Sequence, residues 1–197
     1  MNFNPINCDS INDAPIHIET ERLSIRLVTT LDSADLYKIY SDPEVMKYWS
    51  CPPFTSESQA TDLAQAGETN FHAGQSLFLG IVDKESKELI GTLSVFNIRQ
   101  DSQRAEVGYI LSRKYWHKGL MSEAFSALLD YCFEHLQLNR LEADIDPNNT
   151  ASAALLIKHG FKAEGLLKER WIVNGNVTDS EIYGLLRADF KKLNSKE

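Results

Sequence analysis

The sequence has no long apolar stretch. Its uninterrupted apolar runs span only a few residues, as at Ile110-Leu111, far short of the roughly 20 that a membrane helix needs. The polar opening, Met1 to Ile16, lacks the basic-then-apolar pattern of a secretory leader, so a cytoplasmic protein without membrane contact is expected. Cysteine is scarce: Cys8, Cys51 and Cys132 are odd in number, widely spread and free of any C-x-x-C pair, which argues against a disulfide framework or a zinc site. Cys132, on an apolar helix face, reads as core. His17, His72, His117, His135 and His159 never fall at metal-ligand spacing, so no metal is expected. Positive charge is in deficit, with 20 Lys and Arg against 28 Asp and Glu and a net charge of −8. That balance disfavours direct nucleic-acid binding and is compatible with a basic partner. There is no internal repeat and no low-complexity tract.

What is present fits one domain. A chain of 197 residues with 43% hydrophobic composition can bury one sizeable core. The patterned region runs from about 17 to 187, and residues 1–16 and 191–197 are expected to be mobile. Ile16-His17-Ile18 and Leu23 to Leu27 alternate as strands do, and Asp32 opens a helical pattern through Leu36, Ile39 and Tyr40. Ser56 with Gln59 forms a capping-box pair at the head of a polar helix ending near Gly74. Strands are expected over Leu77 to Val82, Leu89 to Ile98 and Arg104 to Leu111, as an antiparallel meander. A helix from Gly119 to Leu136 and a strand from Leu141 to Ile145 follow, which implies a parallel crossover. A short helix, Ala151 to His159, stops at Gly160, and strands Lys162 to Trp171 and Val177 to Leu186 flank an Asn174-Gly175 hairpin turn.

The chemistry concentrates between Glu106 and Ala124, where a strand passes through a basic, glycine-containing loop into a helix. Such a corner aims main-chain N–H groups at one point, and with the helix dipole it favours a phosphate or diphosphate. Gly119 permits close approach, and Lys118 and Arg113 add charge. On these residues alone a second reading stays open, in which Gly119 relaxes a tight turn and the lysines solvate it.

The wording of this segment is more specific than its composition. Glu106-Val-Gly-Tyr-Ile-Leu followed by Tyr115-Trp-His-Lys-Gly-Leu-Met-Ser-Glu-Ala resembles the acetyl-CoA-binding segment of GNAT superfamily N-acetyltransferases of the RimJ/RimL type. Other stretches match in the same order: Thr20-Glu21-Arg22-Leu23 with Arg26, Leu89-Ile90-Gly91, Asp146 through Ser152, His159-Gly-Phe161, Glu164-Gly165, and Asn174-Gly175 before Asp179. The resemblance spans about residues 17 to 187. It implies an α+β GNAT fold: a mixed, mostly antiparallel seven-stranded sheet, splayed between its fourth and fifth strands and flanked by about four helices. The superfamily loop pattern is Gln or Arg, two residues, Gly, one residue, Gly or Ala. Here Trp116 and Met121 hold its ends and only Gly119 matches.

The resemblance also implies the site. The strands would part after Tyr109, the pantetheine arm of acetyl-CoA would lie along Ile110, Leu111 and Ser112, and its diphosphate on the amides of His117, Lys118, Gly119, Leu120, Met121 and Ser122. Asn149 and Ser152 would contact cofactor or substrate. Three carboxylates on strands are candidates for the base: Glu106, Asp144 and Glu169. Each has the alternative reading of a solvated or salt-bridged surface group. The tyrosine that usually protonates the leaving thiolate is replaced by Leu156, and Ser152 matches a serine used by RimL-like relatives. Helix capping by Asn149, with Ser152 on the first turn, is equally readable. The aromatic loop Tyr48, Trp49, Pro52-Pro53 and Phe54 reads as core, with an acceptor groove as its second reading.

Direct attack on a thioester requires a neutral amine. An α-amino group of pKa about 7.7 to 8.0 meets that condition near neutrality far better than a lysine near 10.4. The expected reaction is acetylation of a protein N-terminus, such as that of a ribosomal protein. The alternatives are acetylation of a small amine (polyamine, aminoglycoside or amino-acid analogue) and a non-catalytic acyl-CoA sensor. The protomer is expected to be a monomer or homodimer.

Overall fold

The computed structural model describes residues 16–194. Leu23 and Ile25 point their side chains into the core at 0% exposure while Ser24 and Arg26 point away, the period of two that makes a one-sided strand. The strands are β1 (His17–Glu19), β2 (Leu23–Leu27), β3 (Leu77–Asp83), β4 (Leu89–Arg99), β5 (Arg104–Leu111), β6 (Arg140–Ile145), β7 (Lys162–Val173) and β8 (Asn176–Leu186); β3 is central and its first five residues are buried on both faces, whereas β7 is exposed along nearly its whole length. They form one sheet in the order β1-β2-β3-β4-β5-β6-β8-β7, antiparallel throughout except for β5 against β6.

Among the described residues five α-helices flank this sheet: α1 (Ser33–Tyr40), α2 (Glu57–His72), α3 (Leu120–Asp130), α4 (Thr150–Lys158) and α5 (Arg187–Asn194). The start of α2 is fixed by the capping pair, with the Ser56 N–H donating to Gln59 Oε1 at 3.2 Å. α4 ends where Gly160 takes φ +86°, a conformation a side chain would strain. α3 runs on into a π-helical turn, Tyr131–His135. The Asn174-Gly175 turn is a two-residue hairpin, with φ of 50° and 81°.

Two cores lie on opposite faces of the sheet. α1 and α2 enclose Val28, Leu36, Ile39, Phe78 and Ile110 on one face. On the other, Phe125, Leu128 and Leu129 of α3 pack on Leu79, Leu93, Val107, Leu141 and Tyr183. No helix among the described residues is long and apolar enough to cross a membrane.

The fold expectations hold in class and need three corrections. The sheet has eight strands rather than seven, because His17–Glu19 pairs antiparallel with β2 as an extra edge. The fourth and fifth strands of the resemblance are therefore β5 and β6. The helices among the described residues number five rather than about four, because α5 follows β8; it takes in Lys191 to Asn194 of the segment expected to be mobile, and its Phe190 ring centroid lies 4.8 Å from that of Phe133. Residues 1–15 and 195–197, the remainder of that expectation, lie outside the described residues, as does Cys8. Finally, the strands part earlier than expected. Pairing between β5 and β6 covers Arg104, Ala105 and Glu106 against Arg140, Leu141 and Glu142, and it stops there rather than after Tyr109.

Candidate functional site

Beyond Glu106, β5 stays on β4 while β6 follows β8, so a gap opens in the sheet. The Ser112 N–H donates to the Ile90 carbonyl at 2.8 Å, which fixes the alternation of the strand. Main-chain groups of Ser112, Ile110 and Gly108 turn toward β4, and those of Leu111, Tyr109 and Val107 turn toward the gap. Of the expected Ile110 to Ser112 segment, only Leu111 therefore offers its backbone to the gap. Its carbonyl is occupied by Trp116, whose indole N–H donates to it at 2.7 Å. Trp116, in the loop position where the family pattern has Gln or Arg, thus ties the loop to the end of β5.

The corner itself is a pair of left-handed turns, with His117 at φ 60° and Gly119 at φ 75°. Gly119 is the N-cap of α3 and no side chain caps the helix, so its first-turn amides are free to take an anion. Leu120 is buried and Met121 packs on the core, leaving their N–H groups rather than their side chains at the corner. The Ser122 hydroxyl is bound by Lys158 Nζ at 2.8 Å and lies 3.0 Å from His159 Nε2. Burial, with the Lys158 ammonium beside it, pushes the His159 imidazole below its usual range. The expected cations are directed elsewhere: Lys118 Nζ sits over the Tyr115 ring at 5.1 Å, and Arg113 Nε lies 3.5 Å from Asp42. The cations at the corner are Arg22 and Lys158, brought there from distant sequence.

On the face carrying α1 and α2, a cavity of about 1010 Å³ reaches into the gap. Glu106, Tyr109, Asp144, Asn149 and Ser152 all line it. The structure therefore brings two of the three candidate carboxylates together and leaves Glu169 out. Glu169 is exposed at a bulge in β7, at φ 53°, with its N–H donating to Asp179 Oδ1 at 2.9 Å. Glu106 accepts one hydrogen bond, from Asn97 Nδ2 at 3.0 Å. Asp144 is engaged by Arg170, whose Nε lies 2.8 Å from Oδ2. Glu106 is the less committed of the two.

Asn149 caps α4, its side-chain oxygen accepting from the Ser152 N–H at 3.1 Å, so the capping reading holds at this helix. The Ser152 hydroxyl lies 2.6 Å from the Tyr109 hydroxyl, and the Tyr109 ring stands edge-on to Phe125 at 4.9 Å. Burial pushes the Tyr109 phenol up to about 12, only partly offset by the bond to Ser152. Leu156, where the usual tyrosine is replaced, is buried in the core. Tyr109 thus supplies a hydroxyl at the gap that the sequence reading used only to mark where the strands part. In the aromatic loop, Trp49 and Phe54 pack on Tyr40 with ring centroids 5.6 and 5.2 Å apart and also line the cavity. Among the described residues, no three His, Cys, Asp or Glu side chains are grouped to hold a metal ion.

Comparison with known proteins shows the family and the fold. The acetyltransferase (GNAT) domain family matches residues 22–162. The uncharacterized N-acetyltransferase p20 of Bacillus licheniformis is 42% identical over 171 residues, covering 87% of this chain and 96% of its own. The ribosomal protein uS5-alanine N-acetyltransferase of Escherichia coli is 31% identical over 186 residues, covering 91% of this chain and 95% of its own. The crystal structure of the spermidine N-acetyltransferase of Vibrio cholerae, in complex with CoA and spermine, superposes with a TM-score of 0.77 at 23% identity, over 87% of this chain and 99% of that one. At that identity the likeness is one of fold.

Proposed function

Since this chain belongs to the GNAT acetyltransferase family, we propose that it transfers the acetyl group of acetyl-CoA to the α-amino group of a protein N-terminus, in the cytoplasm. The observation that carries this reading is the cavity, which joins the Ser152–Tyr109 hydroxyl pair to Glu106 and the aromatic wall. A ribosomal-protein acceptor is supported by the 31% identity to the uS5-alanine enzyme over 91% of this chain.

The residues divide the work. The diphosphate lies on the amides of Gly119 to Ser122, and the pantetheine arm pairs with the gap-facing backbone of Tyr109 and Leu111. The amine arrives through the cavity and attacks the thioester carbonyl. Its proton passes to Glu106, directly or through water, while a gap-facing N–H of β5 stabilises the oxyanion. As the C–N bond forms and the C–S bond breaks, Ser152 gives its proton to the departing thiolate and takes one from Tyr109; the cycle closes when Glu106 releases the amine proton to water in the cavity and water returns a proton to Tyr109.

A thiol-release assay with acetyl-CoA and a panel of peptides, polyamines and aminoglycosides tests the reading. Release with free N-terminal peptides supports it. Release confined to polyamines or aminoglycosides replaces the acceptor, and tight CoA binding without release for any amine means a sensor.

A further inference from the structure

Residues about a hundred positions apart meet at the start of α3. Glu123, in the first turn, accepts from the Thr20 hydroxyl at 2.6 Å, the Arg22 amide at 2.8 Å and Arg22 Nε at 2.7 Å. The same guanidinium donates through Nη1 to the Lys118 carbonyl at 2.9 Å. Its Nη2 lies 3.6 Å from where a Cβ on Gly119 would stand, so the fork lies close against the corner. One arginine therefore grips both the helix that follows the loop and the peptide plane within it.

A carboxylate in the first turn suits the helix dipole but repels a diphosphate bound over that turn. Here burial pushes the Glu123 carboxyl up, and the bonds from Thr20 and Arg22 outweigh it and hold the group below the usual carboxylate range. The carboxylate is thus ionised and occupied. The bond to Lys118 has a geometric consequence. In a trans peptide the C=O and the following N–H point in opposite directions, so turning the Lys118 carbonyl onto Arg22 turns the Gly119 N–H away from it.

We propose that Arg22, braced by Glu123, is a positioning residue for the cofactor diphosphate, holding the Lys118–Gly119 peptide with its N–H toward the anion. This rests on the acetyl-CoA reading above. Its signature differs from that of simple charge attraction. If only charge mattered, Arg22→Lys would bind the cofactor as the parent does, and Glu123→Ala, which removes a negative charge, would bind it more tightly. The latch requires both to weaken binding, because lysine lacks the fork that spans Glu123 and Lys118.

The test is calorimetric affinity for CoA in the parent, Arg22→Lys and Glu123→Ala, alongside turnover of S-acetylpantetheine, which carries the thioester without the diphosphate. Both variants are expected to lose about tenfold or more in CoA affinity, with kcat/KM for S-acetylpantetheine unchanged. If Arg22→Lys fails to fold, Glu123→Gln takes its place, because charge attraction alone predicts tighter CoA binding for it and the latch predicts weaker binding. Parent-like or tighter CoA binding by Glu123→Ala overturns the proposal, as does parent-like binding by Arg22→Lys or an equal loss with both thioesters. A parent protein without affinity for CoA removes the acetyl-CoA reading itself and the latch with it, a result distinct from tight binding that the variants leave unaltered.

Discussion

The Tyr109 hydroxyl lies 2.6 Å from Ser152 Oγ, across the gap where β5 leaves β6. With its phenol pushed up to about 12 by burial, Tyr109 keeps its proton throughout the neutral range and can donate to the serine oxygen. Ser152→Ala is expected to lower kcat by about a hundredfold, the low end of the span typical of positioned acids, and Tyr109→Phe, which acts through the serine, by less. Steady-state kinetics check this. An acyl donor with a more acidic leaving thiol should recover much of the loss, and equal losses with both donors would remove the proton-delivery role.

In the proposed mechanism Glu106, which accepts a hydrogen bond from Asn97 at 3.0 Å, takes the proton of the amine. Glu106→Gln is expected to reduce kcat/KM by about a hundredfold at low pH and progressively less as rising pH deprotonates the amine without help. Asp144→Asn, which removes the partner of Arg170, should alter acceptor KM more than kcat. pH profiles of the two variants separate these roles, and a parent-like profile for Glu106→Gln would reject the assignment.

Stability carries its own pH signature at Arg26 and Asp32. Burial raises the Asp32 carboxyl, but the two-pronged bond from Arg26, at 2.7 and 2.9 Å, and the Thr29 amide outweigh it, so the net shift is downward. A lowered folded-state value means stabilisation that is present above the unfolded carboxyl's range and lost as pH falls through the folded one. Asp32→Asn should therefore cost about 2 kcal/mol near neutrality, with the difference from the parent shrinking in acid. Chemical denaturation at neutral and acid pH measures it, and a difference independent of pH would contradict it.

Much of this architecture was legible because its signals are local. Ser56 with Gln59, Asn149 with Ser152, Gly160 and Asn174-Gly175 each act within a few residues, and each marks an element boundary in the structure. The corner at Gly119 was legible for the same reason. What was missed depends on contacts between distant residues or on a broken period. Arg22 reaches Glu123 from 101 residues away and Tyr109 reaches Ser152 from 43, and no window along the chain registers either. Glu169 was a candidate through the resemblance of the closing hairpin, and the bulge between Leu167 and Trp171, which no local pattern announces, is where it stands, outside the cavity lining. α5 escaped notice because its packing onto Phe133 of the π-helical turn exists only after folding.

The central claim is that the cofactor is held by main-chain donors of the corner and of the parted strand. The most direct measurement is a backbone amide NMR titration with CoA. The account predicts that the largest shifts fall on the N–H groups of Gly119 to Ser122 and of Tyr109 and Leu111. Saturable binding that moves a different set of amides, or no binding at all, would contradict it.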